Sequence, residues 1–123
     1  MNIALWVVQG LLAAAFGMAG FMKATQPREK LLERVDWVED FPQNIVKLIG
    51  ALEFLGAVGL ILPMLTDILP WLTPLAATGL ALDMLAAILV HIRRNEAKVI
   101  PVNLVLGGLA VFVAVGRFFI ETA

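Results

Sequence analysis

The sequence contains no cysteine and only one histidine, His91. Without cysteine the chain can form no disulfide, no thiolate metal site and no cysteine-ligated iron–sulfur cluster, and thiol redox chemistry is excluded. A single imidazole also cannot supply both axial ligands of a haem. The formal net charge is −1, so the chain has no overall basic field that would attract nucleic acid.

Apolar residues are in excess, making up 61% of the 123 residues and giving a mean hydropathy of +0.93. In soluble domains the apolar fraction is about one half, and short chains bury proportionally less of their surface. A chain of this length fits one domain, residues 1–123, which cannot hide so much apolar surface inside itself. The excess predicts a protein embedded in a lipid bilayer.

Four mainly apolar stretches are long enough to cross a bilayer, which requires about 20 helical residues. None shows the polar face that a helix of this length would need in water. The first lacks the basic residues that precede a signal-peptide core, so we expect it to remain as a membrane span. The sequence thus predicts an all-α fold, a bundle of four transmembrane helices. The predicted spans are residues 3–22, 45–65, 71–92 and 99–120.

The first loop carries a different helical pattern. Between Arg28 and Phe41 the sequence reads REKLLERVDWVEDF, with apolar residues recurring at helical spacing among charged ones. This pattern predicts a short amphipathic helix on the membrane surface, with a solvated charged connector as the alternative.

The distribution of positive charge predicts the orientation. Eight of the nine lysine and arginine residues lie in or beside the first and third loops, whereas the second loop and the N-terminus have none. Because positively charged loops stay on the cytoplasmic side, we expect these two loops inside and both termini outside. The exception is Arg117, near the outer end of the fourth span.

Two carboxylic acids lie within the predicted spans, where an ionised side chain costs roughly 2.5–3.5 kcal/mol. Glu53 and Asp83 both fall about 12–14 Å from the cytoplasmic side at 1.5 Å per residue. Small residues share their helix faces, so we expect both carboxyl groups to point into the bundle. Two close carboxyl groups in a low dielectric should not both ionise, so we expect one to carry a proton at neutral pH.

Other intramembrane polar residues also lie on small-residue faces. We expect an outer polar pair formed by Gln9 and Arg117. A polar interior near the cytoplasmic side, with Lys23 as the cation nearest Glu53, comprises Lys23, Glu53, Asp83, His91 and Asn103. These residues are candidates for ligand binding or proton relay, and hydrogen bonding between helices or anchoring at the interface is the structural alternative. No catalytic or metal-binding motif accompanies them.

Five segments occur in a characteristic order: GFMKATQP (20–27), LIGALEFLGAVGLILP (48–63), WLTPLAATGLAL (71–82), RRNE (93–96) after His91, and IPVNLVL (100–106). Together they make the chain similar to members of the DoxX-like family. The resemblance covers nearly the whole chain and implies a four-helix protein of the prokaryotic inner membrane. Lys23, Glu53, His91 and Asn103 match the family pattern, whereas Asp83 stands where the resemblance implies an apolar residue.

The resemblance also implies candidate functions. The family takes its name from a subunit associated with an archaeal quinol oxidase, and some relatives are linked to thiosulfate–quinone oxidoreduction or oxidative-stress complexes. We therefore expect a non-catalytic accessory subunit of a membrane redox system that binds a quinone and a redox partner protein. One alternative is a membrane chaperone or assembly factor, as in distant animal relatives. Another is a small proton-coupled transporter, for which four helices would require a homo-oligomer such as a homodimer.

Overall fold

The computed structural model describes residues 2–26 and 41–120. These residues form four long helices, and the described part of the chain contains no strand. A helix of 24 residues, such as the first, is about 36 Å long at 1.5 Å per residue and exceeds the ~30 Å thickness of the bilayer core. The helices are α1 (Asn2–Thr25), α2 (Gln43–Thr66), α3 (Leu72–Arg93) and α4 (Ile100–Val115).

The fourth apolar segment is longer than α4 alone. A 3₁₀ turn, Ala97–Val99, precedes α4, and a π-helical turn, Gly116–Ile120, extends it, so that the segment runs over Ala97–Ile120. All four apolar segments are long enough to cross a membrane, which confirms the predicted four-helix fold. The amphipathic helix predicted in the first loop lies outside the described residues, apart from Phe41 at its end.

Consecutive helices pack against each other around an apolar core. The closest packing joins α1 to α2 and α3 to α4, whereas α1 and α4 share much less contact. Phe16, Leu60 and Val113 are buried at the centre. Large apolar side chains also cover the outside of the bundle, as a helical protein surrounded by lipid requires.

The two ends of the bundle differ in charge. Lys23, Arg93 and Lys98 lie at the end where α1 and α3 finish, which we call the basic end. The opposite end holds the tight connection between α2 and α3, and we call it the turn end. In this connection Asp67 and Leu69 have positive φ angles of 57° and 49°.

Pro63 lies inside α2 and is buried. Because proline has no N–H, the carbonyl of Gly59, four residues earlier, lacks its helical donor. Thr73 of α3 donates its hydroxyl to this carbonyl at 3.0 Å, and Gln9 Nε2 of α1 donates to the next carbonyl, that of Leu60, at 2.6 Å. Since lipid offers no water to satisfy free carbonyls, these bonds fasten α1 and α3 to α2.

Removing the Thr73 hydroxyl should leave the Gly59 carbonyl without a hydrogen-bond donor and so destabilise the fold. We expect Thr73→Val to lower the free energy of unfolding by about 0.6–2 kcal/mol, the range of interhelical hydrogen bonds in membranes. Unfolding by dodecyl sulfate in mixed micelles, followed by circular dichroism, measures the change. In a Pro63→Ala background, which restores an N–H to Gly59, Thr73→Val should cost much less.

Thr78→Val is the matched control, because the Thr78 hydroxyl donates within its own helix, to the Pro74 carbonyl of α3. It should change the free energy of unfolding little. If Thr73→Val lowered the free energy of unfolding equally in the unchanged and the Pro63→Ala backgrounds, this account would be contradicted.

Candidate functional site

The site is built on a close crossing of α1 and α2. A Cβ atom at Gly20 would lie 2.5 Å from the carbonyl oxygen of Gly50, and one at Gly50 would lie 2.6 Å from the carbonyl oxygen of Gly20. No side chain fits between the two backbones, so the crossing requires glycine on both helices. Three residues, slightly less than one turn, after these glycines come Lys23 and Glu53, which the crossing brings face to face.

Lys23 and Glu53 form an ion pair between α1 and α2. Lys23 Nζ donates to Glu53 Oε1 at 2.7 Å, and the two side chains are 15% and 3% exposed. The prediction that Lys23 is the cation nearest Glu53 is confirmed. A charge-assisted hydrogen bond in a water-poor interior is strong, and removal of Lys23 would leave the buried Glu53 carboxylate without its cation.

A cavity of about 830 Å³ opens beside this ion pair, between α1, α3, α4 and the connection that precedes α4. Its walls include the apolar side chains of Phe16, Met84 and Leu106. We call it the basic-end cavity. The polar and charged residues that line it are Lys23, Glu53, His91, Asn95, Glu96, Lys98 and Asn103. Four residues that match the family pattern (Lys23, Glu53, His91 and Asn103) therefore line one cavity, whose size is typical of small-molecule sites.

Asn103 of α4 has an unused donor in this cavity. The residue is only 9% exposed, and its Nδ2 atom is buried without a hydrogen-bond partner in the described part of the chain. Buried polar groups in proteins are nearly always hydrogen-bonded, and an exception calls for a specific explanation. A buried amide N–H₂ on a residue that lines a cavity is a donor that a ligand with an oxygen acceptor can satisfy.

His91 lies in the last turn of α3, lines the cavity and is 8% exposed. Its Nδ1 atom lies 2.9 Å from Glu96 Oε1, and Arg94 Nε lies 3.1 Å from Glu96 Oε2. The hydrogen bond from His91, reinforced by Arg94, lowers the pKa of Glu96. Because Glu96 engages Nδ1, Nε2 is the ring nitrogen left for a ligand.

Glu96 is a site residue that the sequence reasoning missed. Asn95 adopts a left-handed conformation with φ of 58°, and the backbone N–H of Glu96 returns to the carbonyl of His91 at 2.8 Å. This is the usual end of a helix at a left-handed residue, a position that asparagine tolerates. Asn95 in the sequence was the signal that could have placed Glu96 beside His91.

Asp83 is placed differently from the other candidates. It is half-buried and lines a groove of about 440 Å³ between α2 and α3, together with Glu53, and it does not line the basic-end cavity. Its carboxyl group lies against that of Glu53, so the predicted proximity of the two acids is confirmed. Of the five residues predicted to form one polar interior, four line the basic-end cavity, and the fifth, Asp83, lines the neighbouring groove together with Glu53.

The predicted contact between Gln9 and Arg117 is present at the turn end. Arg117, only 2% exposed, donates from Nε to Gln9 Oε1 at 2.7 Å and from Nη1 to Asn2 Oδ1 at 2.7 Å. Its guanidinium carbon also lies 5.4 Å from the centre of the Trp6 ring, within range of a cation–π interaction. Since Gln9 is itself bonded to the α2 backbone, this pair ties α1 to α4 and α2. Arg117 also lines a smaller cavity of about 220 Å³ at this end.

Comparison with known proteins gives a family. The sequence profile of the DoxX-like family matches residues 7–113. The chain belongs to the DoxX-like family. The match runs from α1 into the last turn of α4 and so includes every residue that lines the basic-end cavity. No curated protein and no solved structure matches this DoxX-like chain.

Among residues 2–26 and 41–120, no three His, Asp or Glu side chains lie close enough together to hold a metal ion.

Substituting the crossing glycines should separate α1 from α2. We expect Gly20→Ala to lower the free energy of unfolding by roughly 1–3 kcal/mol, because the added methyl group meets backbone atoms that cannot move aside. Gly10→Ala is the matched control, since a Cβ there meets nothing within 4 Å. Helix propensity should make the control neutral or stabilising by up to about 1 kcal/mol. Equal stability of the two variants would contradict the close crossing.

Proposed function

We propose that this DoxX-like protein is an accessory subunit of a quinone-linked membrane redox system and that its basic-end cavity binds the quinone headgroup. The observation that carries the proposal is the buried Asn103 amide, which has no acceptor in the described part of the chain and lines a cavity of about 830 Å³. In this proposal the protein catalyses no reaction by itself. A redox partner protein supplies the electrons, because the residues of the cavity carry no electron carrier.

The polar groups of the cavity suit the two oxidation states of a quinone. The Asn103 amide can donate to a carbonyl oxygen, as the oxidised headgroup requires. The Nε2 atom of neutral His91 accepts a hydrogen bond from a quinol hydroxyl, whereas the protonated ring donates to a carbonyl. Glu53, paired with Lys23, is a further group that can exchange a proton with the headgroup.

The walls of the cavity favour a ligand that arrives from the bilayer. Ala15 of α1 and Val102 of α4 line the cavity and are exposed residues. The two helices touch at the turn end, where a Cβ at Gly116 would lie 2.5 Å from Leu5 Cδ2. At the basic end the cavity lies between them. A headgroup on an isoprenoid tail can enter through this seam while its tail stays in lipid.

Mass spectrometry of lipids extracted from the gently purified protein tests the proposal. We expect about one quinone per chain in the unchanged protein and a severalfold loss in Asn103→Leu. Because leucine removes a buried polar group without a partner, Asn103→Leu should keep or raise the free energy of unfolding. Loss of quinone at full stability distinguishes ligand binding from a structural role.

Asp67→Asn is the control variant, since Asp67 is exposed in the connection at the turn end and asparagine also tolerates its left-handed conformation. It should retain quinone fully. Quinone no higher than in an unrelated membrane protein would contradict the proposal. Copurification of a client protein instead would favour a membrane chaperone, and pH-driven solute uptake lost in Glu53→Gln would favour a transporter.

We also propose that the basic end faces the cytoplasm of a prokaryotic cell, with both termini outside. The support is the concentration of lysine and arginine at the basic end. Cysteines introduced singly at Asp67 and Asn95 test it, because the chain has no cysteine of its own. A membrane-impermeant thiol reagent added to intact cells should label the first and spare the second. Labelling of both from outside, or of Asn95→Cys alone, would contradict this orientation.

A further inference from the structure

Asp83 is an ionisable residue within the spans that the proposed quinone site does not use. It lines the α2–α3 groove, in which Glu53 and the small residues Gly56 and Gly79 also lie. Glu53 lines the basic-end cavity as well, so its side chain forms part of the wall between the groove and the cavity. Asp83 therefore lies behind Glu53 as seen from the cavity.

The contacts of the two acids indicate a shared proton. Asp83 and Glu53 line the same groove, with their carboxyl groups within hydrogen-bonding reach of each other. The Oδ2 atom of Asp83 is buried, and no described residue hydrogen-bonds to it. Two carboxylates cannot hydrogen-bond to each other, whereas a carboxylic acid donates to a carboxylate. One proton between the two groups therefore turns a repulsive contact into a hydrogen bond.

The balance of charge leads to the same arrangement. Lys23 offsets one of the two carboxylates, and with both acids ionised the three residues would keep one excess negative charge inside the membrane. A buried charge without a partner is costly, and one retained proton makes the group neutral. The ionisable side chains lining the cavity or the groove around Glu53 are those of Lys23, Asp83, His91, Glu96 and Lys98.

We propose that Glu53 and Asp83 share one proton between their carboxyl groups, and that Glu53 passes it to a ligand oxygen in the cavity. The proton leaves the pair from the Glu53 carboxyl group and moves to the ligand. No electrons move with it, and water at the cavity mouth returns a proton to the pair. Delivery to a quinone rests on the proposed function, whereas the shared proton does not.

Infrared spectroscopy of the purified full-length protein at neutral pH tests the shared proton. We expect one protonated-carboxyl C=O band per chain, which shifts in D₂O because the cavity exchanges with water. Asp83→Asn and Glu53→Gln should each abolish it, since either change leaves one acid to pair with Lys23. Asp67→Asn, which alters an exposed acid, should keep the band.

Isotope labelling tests the unchanged protein, so the result does not depend on a variant that folds. Carboxyl-¹³C aspartate and carboxyl-¹³C glutamate, incorporated in separate samples, should each displace part of the band. A band displaced by one label only, a band that survives Asp83→Asn, a band that fails to shift in D₂O, or no band at all would overturn the inference.

Quinone measured on the same samples separates the two proposals. Asp83→Asn should retain quinone, because Asp83 does not line the cavity. If the shared band is present but the unchanged protein holds no quinone, the proposed function fails and the shared proton stands. If quinone is bound but the band is absent, the shared proton fails and the proposed function stands.

Discussion

The ion pair between Lys23 and Glu53 is the interaction on which the rest of the structure depends. It exists because Gly20 and Gly50 let the backbones of α1 and α2 touch. Lys23 and Glu53 follow these glycines by three residues, and their charged atoms Nζ and Oε1 lie 2.7 Å apart. A charge inside a membrane is tolerated only when it is compensated. Glu53 in turn forms part of the cavity wall and contacts Asp83, so the pair organises both the site and the acid behind it.

The two ends of the bundle use similar polar residues for opposite purposes. At the turn end, Thr73 and Gln9 satisfy the backbone carbonyls around Pro63, and Gln9 also accepts from Arg117. These polar groups bond to one another or to the backbone, and their role is to hold the helices together. At the basic end, Asn103 keeps an unused donor beside a cavity. The size of this cavity, about 830 Å³, separates the candidate site from the scaffold, since Arg117 at the turn end lines a cavity of only about 220 Å³.

Most of the fold and part of the site could be predicted because both depend on periodicity along one chain. Hydropathy defined the four spans to within a few residues, and shared helix faces predicted the contacts of Lys23 with Glu53 and of Gln9 with Arg117. Helix periodicity predicts which residues share one face of a helix, but it does not predict which other helix or cavity that face meets. The sequence therefore grouped Asp83 with the cavity residues, although it faces the α2–α3 groove. The pairing of Glu96 with His91 depends on a left-handed turn, which periodicity does not describe.

A double-mutant cycle on the central ion pair tests the account most directly. Glu53→Gln keeps side-chain length, and Lys23→Met shortens the side chain by one atom. The free energy of unfolding would be measured for both single variants and the double variant in lipid. We predict a loss of roughly 3–5 kcal/mol for Lys23→Met, which leaves the buried Glu53 carboxylate without its cation. The double variant should lose clearly less than the sum of the single losses. Additive losses would mean that Lys23 and Glu53 do not depend on each other, which would contradict the account.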